Sequence, residues 1–133
     1  MDIEINDKQV LAMLAEINDL RTLKPAIVES MIMIHDEISV YPPQINAGYD
    51  RTDLLGAGWT SAITTDTPDA IEGIVGNNVA YAGWVQSSEK INGVGPQAKI
   101  HQGNWATVQD VSESAAPDVV AIVSKLIREV TKD

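Results

Sequence analysis

Apolar residues recur along the first third of the chain at helical spacing. Val10, Leu14 and Ile17 fall on one stripe, widened by Leu11, which predicts an amphipathic helix. Asp7 stands ahead of it, where a carboxylate can accept from the free backbone N–H groups of a first turn. Ile27, Met31, Ile34 and Ile38 form a second stripe. Thr22 is the expected cap, Pro25 falls in the first turn, and Pro42 and Pro43 end the helix just after Tyr41. The two helices are expected to lie antiparallel. Ile3 and Ile5 alternate with acids before them, which permits a short initial strand.

The period then changes. Trp59, Ser61, Ile63 and Thr65 alternate, as do Ile71, Gly73 and Val75, and then Tyr81, Gly83 and Val85. The stretches TPDA (67–70) and GNN (76–78) carry turn chemistry between them. A meander of three antiparallel strands is expected, within a sheet of about three to four strands. Trp59 and Val85 suit its inner face, and Trp84 points the other way. A polar, glycine-bearing segment, 87–102, follows as a loop longer than most connections in compact domains.

Helical spacing returns at the end. Val108, Val111, Ala115, Val119, Ile122, Leu126 and Val130 keep one phase past Pro117, so a kinked helix is preferred there over two separate ones. The sum is an α+β fold with two N-terminal helices, a small antiparallel sheet and a long C-terminal helix packed on one sheet face. At 133 residues a single domain spanning 1–133 is expected.

Charge narrows the function. The chain carries 19 acidic and 9 basic residues, a net −10, with the acids spread throughout. Tight wrapping of nucleic acid is disfavoured, because that needs lysine and arginine to displace counterions. Absence of cysteine excludes disulfides and thiolate metal sites. The acidic N-terminus does not resemble a secretory signal, and the longest apolar run, VVAIV (119–123), is far below the ~20 residues of a membrane span, so a soluble protein is expected.

Candidate chemistry is sparse. His35 and His101 lack zinc-ligand spacing, and no G-x-S-x-G elbow marks a serine. The GAG at 56–58 has no following lysine, and a strand rather than a helix is expected after it. No enzyme activity, cofactor or metal is expected. The aromatic residues are more informative. Tyr41, Tyr49, Trp59, Tyr81, Trp84 and Trp105 all fall between 41 and 105, and phenylalanine is missing. Every aromatic thus has a polar tip, as suits a packed edge that meets water or a partner. They could equally form the core of the sheet.

YPPQINAGYDRTDLLGAGW (41–59) resembles a pattern of phage and prophage neck or tail-completion proteins, matched at Tyr49, Arg51, Thr52, Leu55 and Trp59. VAYAGWVQ (79–86) and QAKIHQGNWAT (97–107) resemble two further pieces of that pattern, in the same order. Asp53 stands where the pattern has glycine, and Gly58 where it has serine. The resemblance implies a virion structural protein of the head–tail junction or tail end, assembled in the host cytoplasm. It implies a homo-oligomeric ring that contacts other neck or tail proteins and passes DNA through its lumen without tight binding. The expected interface or junction residues are Tyr49, Arg51, Thr52, Asp53, Trp59, Tyr81, Trp84, Gln86, His101 and Trp105. Arg51 is placed to hold its turn or to pair with an acid of a neighbouring subunit. The competing reading is a small-molecule-binding or hydrolytic α+β domain that uses 87–102 as a lid over Tyr81, Trp84 and His101.

Overall fold

The computed structural model describes residues 5–41, 54–90, 93–103 and 105–132. The fold is α+β, with helices around a two-stranded antiparallel hairpin. Asp7 opens α1 (Lys8–Ala15) as expected. Its Oδ1 accepts from the backbone N–H groups of Gln9 at 2.9 Å and Val10 at 3.2 Å, a cap worth ~1 kcal/mol. Arg128 Nη2 donates to its other oxygen at 3.1 Å, tying the start of α1 to the end of the chain.

The expected cap at Thr22 gives way to Asp19. The Asp19 carboxylate accepts from the Arg21 backbone N–H at 3.0 Å and starts a 3-10 turn, Leu20–Leu23, that runs directly into α2 (Lys24–Ile38). The Arg21 guanidinium grips the same carboxylate at 2.9 and 2.7 Å, and this fork fixes its aim. Thr22 lies inside the turn, where its hydroxyl donates to the Asp19 carbonyl at 2.9 Å. Pro25 occupies the first turn of α2, where an N–H would have no helical acceptor.

α2 is the centre of the molecule. One face lies on the hairpin, and a β-carbon at Gly73 would sit 2.5 Å from Met31 Sδ and 2.9 Å from Ile27 Cγ2. Glycine there lets strand and helix approach closely. Another face of α2 takes α5 (Val108–Val130). Leu23, just before α2, packs with Val10 and with Ile127 near the end of α5. Ile38, at the end of α2, packs with Val111 near the start of α5 and with Trp59. α2 and α5 are therefore antiparallel. Two expectations are corrected here: α1 packs chiefly on α5 instead of pairing with α2, and α2, not α5, covers the sheet face.

α5 runs through the exposed Pro117 as one helix, with the Thr107 hydroxyl accepting from Asp110 N at 3.1 Å at its start. Val111, Ala115 and Val119 are buried as the stripe predicts. Beyond them the buried position moves to Ile127, and Val130 is 43 % exposed. The last turns face α1 and Leu23, with Ile71 packed against the same cluster, so the buried face turns with its partner.

The hairpin joins β1 (Trp59–Thr67) to β2 (Ala70–Asn77) through the expected Pro68–Asp69 turn. A bulge after Ile63 sets Thr65 opposite Glu72. Thr65 therefore leaves the face of Trp59, Ser61 and Ile63, and its hydroxyl donates to Glu72 Oε2 at 3.2 Å. Asp66, opposite Ile71, takes the α2 side in its place while staying exposed, and pairs with Lys24 at 2.8 Å.

The third expected strand is corrected. Ala82–Gln86 is a short helix, α4, following α3 (Leu54–Ala57) in chain order. Alternation over so few residues fits a helical turn as well as a strand, and glycine and alanine supply no β-branched bias. Trp84 and Val85 still diverge, one exposed and one buried, because neighbours point apart in either conformation. Gly76 and Asn77, expected in a turn, remain within β2. Ile5 carries no strand but packs against the Val10 cluster. Ile3 lies outside the described residues.

Candidate functional site

The three sequence segments singled out above converge on one junction. Trp59, 7 % exposed at the start of β1, donates its indole N–H to the Tyr41 hydroxyl. The Tyr41 ring in turn lies 4.6 Å from the Trp105 ring, tilted by 47°. The polar-tipped aromatics thus contact one another through both faces and tips, as their amphipathic character allows.

Two buried glutamines bind this junction together. Gln86, at the end of α4, is 2 % exposed, and its Nε2 donates to Ile38 O at 3.0 Å and Ala106 O at 3.1 Å. Both acceptors are carbonyls, so the atom facing them must be the amide nitrogen. Gln86 Oε1 is buried with no hydrogen-bond partner among the described residues. Gln97 repeats the device. Its Nε2 donates to Val85 O and, at 2.9 Å, to Trp105 O. One amide therefore ties α4 to the end of α2, and both tie it to the segment before α5. Each charge-free bond of this kind contributes ~1 kcal/mol net, whereas stranding a buried partner costs about 1–3 kcal/mol.

The loop 87–102 is pinned across its described residues. Gln97 N donates to Ser87 O at 2.6 Å and Ala98 N to Trp84 O at 2.8 Å. Gln109, on the first turn of α5, accepts from Ser88 N at 2.8 Å and donates to Ser87 Oγ at 3.2 Å. Gly95 has φ +94°, and a β-carbon there would sit 2.6 Å from Glu89 O and 3.2 Å from Gly83 O. Only glycine fits that approach. The Gly95–Pro96 peptide is cis.

The expected site residues divide. Trp59, Gln86 and Trp105 meet at the junction. His101 sits on a 3-10 turn, Lys99–His101, edge-on to Trp105 with ring centroids 6.0 Å apart. Burial lowers its pKa below the ordinary 6.5 by disfavouring the charged imidazolium. Tyr81 and Trp84 stand apart on the surface, 40 % and 46 % exposed. Tyr49, Arg51, Thr52 and Asp53 lie outside the described residues.

The departure at Gly58 has a steric explanation. A β-carbon there would come within 2.5 Å of both Asn77 Oδ1 and Val79 Cγ2. Asn77 is committed at that spot: its Nδ2 donates to Leu55 O at 2.6 Å and its Oδ1 accepts from Val79 N at 2.9 Å. Sequence reasoning missed Asn77, and it placed Gln97 in the third pattern segment without naming it as a site residue. Both carry out side-chain-to-backbone bonding that follows no periodicity, though Gln97 directly follows the Gly-Pro pair that redirects the chain.

Beside the junction opens a concave region of about 980 Å³. Trp59 and Val75 form its apolar floor, α4 supplies Gly83 and Gln86, and Val108 and Glu113 come from α5. Tyr81, Trp84 and His101 do not line it. Among the described residues no group of three histidine or acidic side chains could hold a metal ion, and no helix is long and apolar enough to cross a membrane. No family model, curated protein or solved structure matches the chain.

Proposed function

We propose that this chain is a structural component of a tailed-phage or prophage virion, a ring-forming subunit in head–tail joining or tail completion. The observation that carries the reading is the convergence of its three pattern segments. Gln86 of the second bonds Ala106 of the third at 3.1 Å, and Tyr41 of the first, which holds the Trp59 indole, lies 4.6 Å from the ring of Trp105 of the third. A sequence pattern kept for architecture is expected to meet in this way, in packing and backbone bonds. Tyr81 and Trp84 then serve as exposed aromatic contacts between subunits, since such residues are favoured at interfaces. The net charge of −10 suits a lumen past which DNA slides without adhering. The chain performs no catalysis in this role and requires no cofactor.

The test is electron microscopy of particles made with and without the chain. Loss is expected to leave unjoined heads and tails, and the purified particle should contain the chain as a ring at the junction or tail end. Complete particles lacking the chain would overturn the proposal. The large concavity supports a second reading, a small-molecule-binding domain. A thermal-shift screen against metabolites separates the two, since a structural subunit should show no saturable stabilisation.

A further inference from the structure

We propose that the groove beside β2 is a strand-addition site for another protein, taking an extended segment in which apolar residues alternate with lysine or arginine. The backbone sets the edge. Asn78 N donates to Gly58 O at 3.3 Å, which makes 58 and 78 a hydrogen-bonded pair of the antiparallel ladder. Pairs alternate along such a ladder, so with the observed register Gly76 and Ile74 bond across to β1. Gly73, Val75 and Asn77 must then turn their backbone N–H and C=O groups away from it. Those groups have no backbone partner among the described residues. Unpaired edge groups of this kind are a template for a further strand.

The surroundings match a strand and give its chemistry. Val75, Gly76 and Asn77 line the concavity, and across it stand α4 and the first turns of α5. A β-carbon at Gly76, on the face opposite Val75, would meet nothing within 4 Å, so the outer face of β2 is open there. The floor of Trp59, Val75 and Val108 takes apolar side chains from one face of an added strand. On the rim, the side-chain carboxylates of Glu89 and Glu113 form no hydrogen bond or ion pair among the described residues. Both are acceptors only, so they favour a cationic partner. That charge selects against a strand of a second copy, because neither β1 nor β2 carries a lysine or arginine to meet it. β2 and its facing strand also lack the proline and lysine that commonly blunt an exposed edge. The site does not depend on the virion reading and survives its failure.

The probe is an acetylated, amidated peptide alternating valine and lysine, added to the intact chain. Saturable binding is expected, with quenching of Trp59 fluorescence and slowed hydrogen exchange at the Gly73, Val75 and Asn77 amides. The same peptide N-methylated on its edge-facing residues should fail to bind, and a valine–glutamate peptide should not compete. The exposed-rim variant E89K/E113K should weaken binding roughly tenfold, with an unchanged melting temperature. The proposal is overturned if those amides stay unprotected at saturating peptide. It is also overturned if the N-methylated peptide binds equally, or if the chain alone protects them on concentration, which would make a second copy the occupant.

Discussion

The helical layer and the glutamine junction are held together by different physics. Around Ile127, Val10 and Leu23 the structure rests on apolar burial, with all three side chains at or below 4 % exposure. Around Gln86 and Gln97 it rests on amide groups satisfying carbonyls of three other segments. Burial is non-directional and tolerates repacking. An amide holding two carbonyls has one workable geometry. The first region therefore supplies most of the stability, and the second supplies the placement of α4 and the loop after it.

Substitutions that attack each mechanism test that division. Ile127→Ala should have the largest effect, about 2–5 kcal/mol by urea denaturation, because a fully buried aliphatic leaves a cavity under two helices. Gln86→Met keeps the volume but strands the Ile38 and Ala106 carbonyls. A loss of about 2 kcal/mol is expected. The two variants should also differ in kind. Ile127→Ala should lower protection across α1, α2 and α5 together, whereas Gln86→Met should release α4 and 105–106 first in hydrogen exchange. Uniform loss of protection in both would show that the junction is part of one cooperative core.

This contrast also explains what was legible in the sequence. The stripes Ile27–Met31–Ile34–Ile38 and Val111–Ala115–Val119 declare themselves because burial imposes a period of 3.6 residues. The Asp7 cap and the Pro68–Asp69 turn follow from local chemistry. What failed was every feature decided by a distant partner. α4 looks like a strand over five residues, and the bonds that anchor it as a helix come from Gln86 and Gln97. Thr65 changes face because of a bulge, and the buried phase of α5 shifts because α1 meets its end. Of the site, Trp59, Gln86 and Trp105 were legible as resemblance to a pattern, but their meeting point was not. Asn77 had no signal beyond its neighbours, and Gln97 was legible only as the first residue of the third pattern segment.

Gly58→Ser sharpens the comparison from the steric side. The phage pattern that this segment resembles has serine there, yet a β-carbon collides with Asn77 and Val79. A loss of about 1–3 kcal/mol is expected from overpacking. Pairing it with Asn77→Ala should recover part of that loss, and a double-mutant cycle measures the coupling. Additive effects would mean that the strand end yields without displacing Asn77.

His101 gives a smaller, pH-dependent effect confined to the junction. Burial lowers its folded pKa, so near the ordinary 6.5 the unfolded chain binds more protons than the folded one. Its stabilising contribution is therefore complete above 6.5 and is lost as pH falls through the folded value. The urea midpoint should drop between about pH 7.5 and about pH 5.5, and His101→Gln should flatten that part of the profile. Asp19, also lowered by Arg21, acts in the same direction but below its ordinary 3.8, so the two windows separate.

The smallest change in stability is expected at Trp84, and there the comparison is between two tryptophans. Trp59 is buried and bonded to Tyr41, while Trp84 leaves 46 % of its surface exposed one residue before a buried valine. Trp84→Ser should alter folding by no more than about 0.5 kcal/mol, as for surface positions lacking special contacts. A removed aromatic anchor at an interface, by contrast, costs about 2 kcal/mol or more. In the ring reading, Trp84→Ser should thus leave the melting curve unchanged and abolish incorporation into particles. Should the variant melt early and still assemble, the indole belongs to the fold, and the contact between subunits must be sought on another face.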